Sequence, residues 1–269
     1  MKWKSFGLPG IAGGLVLAIG LVANAASNSS LSLTGFTGDS SQSGTQTALA
    51  TAGLNAFSTG APEAVTFDAN GAHFGSVTAG DAGRNYVRTN DSNYSTVPFV
   101  AEITFEADDA KAVFFGLGAG DTALFGTPDW STQFSSASFW PETNNDKFVQ
   151  FRTQNDTNVF VDTNVPGFSP GAHRFRMTFD PATNSLTGAI DTNYAGGPFV
   201  ADVTGVPNNT TTLFAADGWP SEPSRIFFGG DDGAVFRDLV IRVIPEPSTA
   251  ALLLLALAAM TGRRIRDGR

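Results

Sequence analysis

The chain contains no cysteine and only two histidines, three methionines and three tyrosines in 269 residues. Without cysteine there is no disulfide scaffold, no thiol nucleophile and no thiolate site for zinc or iron–sulfur clusters. Charged residues make up 15% of the chain, against roughly a quarter in ordinary domains. That scarcity argues against a coiled coil and against a Lys/Glu-rich helical protein. A net charge of −9 argues against a nucleic-acid partner. What is plentiful is phenylalanine (23), glycine (30) and hydrophobic residues in general (42%). They suffice for one well-filled domain, and all-β sandwiches reach about 250 residues as single units.

The two ends read as addresses rather than fold. Lys2 and Lys4 precede an apolar run over 8–23, and Ala23-Asn24-Ala25 fits the small-x-small cleavage pattern. Residues 1–25 are therefore expected to be a secretory signal peptide, helical in its apolar part. At the other end, Pro245-Glu246-Pro247-Ser248 stops the preceding strand, because proline cannot donate to a ladder. An almost purely apolar stretch follows over 249–260, then Arg263, Arg264, Arg266 and Arg269. As a helix the apolar stretch covers only about 20 Å, short of a bilayer core of about 30 Å. The arginine cluster should stay cytoplasmic, leaving everything before it outside.

This tail, residues 245–269, resembles the PEP-CTERM sorting signal of Gram-negative-type bacteria, with Pro245, Glu246 and Pro247 as the motif and Arg263, Arg264 and Arg266 as the membrane stop. The resemblance implies signal peptidase and an exosortase as processing partners. It also implies transient inner-membrane contact through the short C-terminal helix, and a final place in the cell envelope, on the cell surface or in an exopolysaccharide matrix. Without the two ends, residues 27–244 hold 10 basic and 23 acidic residues, a net of −13. The exported part should repel polyanions and attract cations.

Residues 26–61 are rich in Ser, Thr, Gly and Ala. They read either as a low-complexity leader or as loose first strands. From Val65 on, short alternating apolar runs recur between Gly, Asn, Asp and Pro clusters. Phe99, Ala101, Ile103 and Phe105 share one face, leaving Glu102, Thr104 and Glu106 for solvent. Residues 113–117 suit a strand buried on both sides. Residues 148–151 and 159–161 form a pair around Asn155-Asp156. Phe175, Met177 and Phe179 alternate with Arg174, Arg176 and Thr178 before the turn at 180–184, and 186–190 returns. Residues 199–203, 226–228 and 234–243 complete the set. No 12-residue helical stripe occurs between the two ends. The expectation is an all-β, two-sheet antiparallel sandwich over 62–244.

Two short echoes, Pro98-Phe99-Val100-Ala101-Glu102 with Pro198-Phe199-Val200-Ala201-Asp202, and Phe114-Phe115-Gly116 with Phe227-Phe228-Gly229, reuse one strand chemistry without making a domain repeat. The segments 171–191, with His173 on a strand before a hairpin, and 230–241, with Phe236-Arg237-Asp238-Leu239, resemble the concanavalin A-like jelly roll of the lectin/glucanase and laminin-G group. That resemblance implies a sandwich whose sheet or loop rim binds glycans.

The search for catalysis returns turns and strands. Gly167-Phe168-Ser169-Pro170-Gly171 matches a nucleophile-elbow string, but the elbow needs a helix after the serine, and here Pro170 and a strand follow. Glu102 and Glu106 are four residues apart on one strand, about 13 Å, too far for a retaining glycosidase pair. The middle Asp of the glucanase pattern is Thr104. Gly116-Leu117-Gly118-Ala119-Gly120 lacks the spacing and helix of a dinucleotide loop.

Two features are candidates for binding. Gly229-Gly230-Asp231-Asp232-Gly233 offers Asp231 and Asp232 to a calcium ion, which takes six to eight oxygens. A Gly-Asp turn is the competing reading. Trp130, Trp140 and Trp219 lie in Pro-, Ser- and Asn-rich surroundings and could stack on sugar rings. The function expected is that of an exported, non-enzymatic sandwich with a structural or adhesive role. The alternative is a lectin-like module for exopolysaccharide, with calcium as the candidate cofactor.

Overall fold

A computed structural model describes residues 26–59, 64–75, 84–107, 113–118, 136–141, 149–153, 159–161, 171–183, 185–205, 224–230 and 234–245. In chain order these form β1 (Ser29–Ser32), β2 (Gly38–Asp39), α1 (Ser43–Thr51), β3 (Leu54–Thr59), β4 (Thr66–Asp68), β5 (Gly71–Phe74), β6 (Arg84–Thr89), β7 (Phe99–Ala107), β8 (Val113–Gly118), β9 (Ser136–Pro141), β10 (Val149–Thr153), β11 (Val159–Val161), β12 (Gly171–Asp180), β13 (Ser185–Asp191), β14 (Val203–Gly205), β15 (Arg225–Gly230) and β16 (Ala234–Val243).

The strands make two antiparallel sheets. One runs β14-β13-β12-β7-β16-β5-β4-β2, with β1 also paired to β16, and the other runs β11-β10-β9-β8-β15-β6-β3. Their facing side chains interleave. Phe105 stacks on Phe175 with centroids 4.8 Å apart, and Phe74 and Phe236 of the first sheet meet Phe228 of the second at 6.3 and 5.1 Å. Apolar burial of this kind is the main favourable term in folding. The period-two pattern of β12 is followed residue by residue, with His173, Phe175, Met177 and Phe179 buried and their neighbours partly exposed. His173 lies in this core row, its ring 5.2 Å from that of Phe105. The hairpin after β12 closes where Asp180 accepts from the Ala182 amide at 2.9 Å, the local bond that makes aspartate a turn former.

The Phe-Phe-Gly echo has a structural outcome. β8 and β15 pair with each other, so that Gly116 lies opposite Phe227 and Phe114 opposite Gly229. The other echo diverges. Phe99 opens the central strand β7, whereas residues 199–202 form no strand, and only β14 follows them. Gly196 and Gly197 (φ +88° and +97°) and Pro198 turn the chain away from the ladder.

Residues 26–59 belong to the sandwich rather than preceding it, so the sandwich does not begin at 62. β1 pairs with β16, and β3 pairs with β6 in the second sheet. Leu33, Leu49, Leu54 and Ala56 enter the core. Helix α1 has only Thr45 and Leu49 buried, an i, i+4 pair too sparse to show as an apolar stripe. It is tied down by Gln46, whose amide donates to the Ser40 and Ala56 carbonyls at 2.8 Å.

Strand β16 is the most shared element. β7 covers one side over its full length, while β5 and β1 lie end to end along the other. The β7–β16 register slips between Phe236 and Asp238, which makes Arg237 a bulge residue. Gly71 sits against this bulge at φ +136°, and a Cβ there would lie 2.2 Å from the Phe236 carbonyl oxygen. Only glycine permits that approach.

The first described residues are fastened by Tyr94. Its hydroxyl donates to the Ser27 carbonyl at 3.1 Å, and Ser27 donates to Asp91 at 2.9 Å. Burial, with the nearby Asp91 charge adding to it, pushes the Tyr94 phenol up to about 12. Above pH 10 the unfolded chain then sheds this proton while the folded chain keeps it, so stability falls as pH rises from 10 to about 12. Absorbance titration should show a tyrosine ionising near pH 12, and Tyr94→Phe should remove that step. A Tyr94→Phe titration indistinguishable from wild type would refute the assignment.

Candidate functional site

The face of the first sheet turned away from the core carries its charge in rows. Across the ladders, Ser30, Val240, Glu102, Arg176 and Ala189 lie side by side. One step along are Arg242, Val100 and Thr178, and on the other side Ser32, Asp238, Thr104, Arg174 and Asp191. Because β7 is central, Glu102 stands between β12, which brings Arg174 and Arg176, and β16, which brings Arg242.

The sequence alone assigns Glu102 and Thr104 to solvent, and the structure buries both, at 3% and 4% exposure. The reason is lateral. Arg174 donates from Nε to Glu102 Oε2 at 3.1 Å and Arg176 from Nε to Oε1 at 2.7 Å, with their Nη2 atoms in ion-pair contact with the same oxygens at 3.0 and 2.6 Å. Charge-assisted bonds of this kind are about twice as strong as neutral ones. Arg242 Nη1 stands 3.7 Å from Oε1, an ion pair beyond hydrogen-bond length. Glu106, further along the same face, pairs with Arg237 Nη2 at 2.7 Å. Three guanidiniums thus share one carboxylate, with Asp191 and Asp238 in the neighbouring row of the same face.

Residues 191–202 form a lid over half of the cluster. Asp202 accepts from the Thr192 amide at 3.1 Å and Asp191 from the Val200 amide at 3.0 Å, so the loop is pinned at its neck. It lays Tyr194 and Phe199 on the arginines. Arg174 donates to the Tyr194 hydroxyl at 2.7 Å and stacks 4.9 Å from its ring, and Arg176 lies 3.9 Å over Phe199. Arginine suits both contacts, being planar, permanently charged and weakly hydrated. The lid covers the β12 side only. On the β16 side Arg242 remains 61% exposed, at the wall of a groove of about 430 Å³ lined by Asn28, Ser29, Ser30, Val240, Ile241 and Arg242.

Of the residues singled out in the sequence, Pro245 is described. It is exposed, immediately after β16 and Ile244. Trp140 stands on strand β9, opposite Gln150, and not in a loop. Trp130, Trp219, Asp231, Asp232, Glu246, Pro247, Arg263, Arg264 and Arg266 lie outside the described residues, as do both terminal helices. Among the described residues no helix is long and apolar enough to cross a membrane, and no three metal-binding side chains gather to hold an ion. Sequence reasoning missed the Glu102 cluster. Its only signal is Arg-x-Arg at outward positions of one strand and a glutamate at an outward position of another.

No protein-family profile matches the chain, and no curated protein matches it by sequence. Solved structures do. Peanut lectin, solved with a nine-residue peptide, is 14% identical, with a TM-score of 0.50 over 82% of this chain and 100% of that one. Arcelin-5, a lectin-like defence protein from Phaseolus vulgaris, is 11% identical with a TM-score of 0.49 over 81% and 100%. The metal-free form of lectin I-B4 from Griffonia simplicifolia is 13% identical with a TM-score of 0.48 over 71% and 93%. The chain has the all-β, two-sheet antiparallel sandwich of the legume lectins, the concanavalin A-like fold.

Proposed function

We propose that this chain is a non-catalytic, carbohydrate-binding β-sandwich, exported across the inner membrane and sorted to the cell envelope, surface or matrix by its C-terminal segment. The observation that carries the reading is the architectural match to peanut lectin, which runs through all of that chain. It favours glycan binding over a purely structural or adhesive display role. The non-catalytic part is supported by the state of the nearest carboxylate pair. Glu102 is enclosed by arginines and Glu106 is paired with Arg237. Sorting is supported by position: Pro245 opens the Pro-Glu-Pro motif where the last strand stops.

The test is a glycan array with the full chain in nonionic detergent, run with calcium and with EDTA. Saturable binding to at least one glycan class is expected. Loss in EDTA would make Asp231 and Asp232 the first ligands to replace, and indifference to EDTA would remove the metal from the proposal. No binding by folded protein in either buffer would overturn the carbohydrate reading and leave the display role.

A further inference from the structure

The Glu102 cluster does not use all of its own charge. Four nitrogens from Arg174 and Arg176 already occupy the two carboxylate oxygens at 2.6–3.1 Å. Arg242 sits behind them at 3.7 Å with most of its side chain in solvent. Asp238, on the same face of the same strand, is four residues away, about 13 Å along a strand. Beyond that ion pair, no hydrogen bond from the Arg242 guanidinium is found among the described residues, and a guanidinium fork matches a carboxylate or a phosphate.

The groove beside it supplies the rest of a site. It is a shallow groove of about 430 Å³, largely open to solvent. Ser30 is exposed on one wall, with Val240 directly opposite it as an apolar floor. The side-chain oxygen of Asn28 accepts from the Val243 amide at 2.6 Å, which leaves its amide hydrogens as donors. Hydroxyl, amide, apolar floor and guanidinium together suit a sugar ring bearing one anionic group. The acidity of the chain, net −9, disfavours a multiply charged ligand and tolerates a single carboxylate.

We propose that the groove between β1 and β16 binds a carboxylate-bearing saccharide of the uronic acid type, with the carboxylate on Arg242 and ring hydroxyls on Ser30 and Asn28. This rests on the carbohydrate-binding reading and names its ligand class. The test is calorimetric titration of the full chain in nonionic detergent with a glucuronate-containing oligosaccharide, its neutral glucose counterpart, sodium acetate and inorganic phosphate. The acidic saccharide should bind at least tenfold more tightly than the neutral one, and more weakly as salt is raised. Arg242→Gln should weaken acidic-saccharide binding by about ten- to a hundredfold, the usual range for a bond to a charged group. It should leave neutral-saccharide binding and the melting temperature unchanged, and Arg242→Lys should restore only part of the loss. Equal affinity for acidic and neutral sugars, or indifference to Arg242→Gln, would overturn this site while leaving the carbohydrate reading intact. Competition by acetate or phosphate at matching concentrations would reduce the groove to a bare charge site and overturn the saccharide assignment. Binding of neither saccharide would overturn this site, while the carbohydrate reading would still stand or fall on the glycan array.

Discussion

Glu102→Ala is expected to destabilise the protein by about 3 kcal/mol. Removing one partner of a buried ion pair commonly costs about 3–5 kcal/mol, because the remaining charge is stranded. Here two guanidiniums are stranded beside each other, Arg174 being 12% exposed and Arg176 35%. The lower end applies because Arg176 reaches water and Arg242 does so more fully. For a domain of this size the melting temperature should fall by roughly 6–12 °C. The cluster is not for that reason the best possible stabiliser. Replacing Glu102, Arg174 and Arg176 together by apolar residues should cost less than Glu102→Ala alone, since only the solvent-exposed Arg242 is then left without its partner. Thermal unfolding followed by circular dichroism measures both variants. A Glu102→Ala loss below 1 kcal/mol would mean that water solvates the arginines as well as the carboxylate does.

The second large effect sits on the other face of the same strand. Phe105→Ala should cost about 4 kcal/mol, within the usual range of about 3–5 for a buried phenylalanine. Phe105 is fully buried, stacked on Phe175 and in contact with His173 and Phe236. Rings on neighbouring strands hold the walls apart, so the cavity cannot collapse. Val200→Ala, at a side chain 67% exposed, should change stability by less than about 0.5 kcal/mol. A urea midpoint for Phe105→Ala close to that of Val200→Ala would contradict the core assignment.

These two residues show what sequence patterning can and cannot carry. Alternation along β7 and β12 separates inward phenylalanines from outward polar residues, and the structure follows it. Alternation is a property of one strand at a time. It says nothing about which strands are neighbours, and the neighbours decide what an outward residue meets. Glu102 lies between Arg176 and Val240 only because β7 pairs with β12, 72 residues away at the Arg174 contact, and with β16 on its other side. For the same reason Arg242 could be counted in the sequence but not placed beside a carboxylate. Helix α1 and strands β1 and β3 were obscured differently. Their stretch is short of large apolar residues, and it is held by single anchors such as Leu33, Leu49 and Leu54. The echo at 198–202 misled in the opposite direction, since the strand chemistry of 98–102 is present but two glycines with positive φ redirect the backbone.

The placement of β1 has a mechanical consequence. It runs antiparallel to β16, with Ser29 opposite Ile241, and the Asn28 side chain holds the Val243 amide. Ser29 and Val243 thus stand at the same end of one strand pair. A pull that separates them loads the β1–β16 hydrogen bonds one after another, as a zipper opens, rather than all at once in shear. A pull applied through the β16 side alone spares that ladder and draws on the β7–β16 pairing, which extends from Phe99 to Glu106. The force the domain withstands therefore depends on whether one end or both are held.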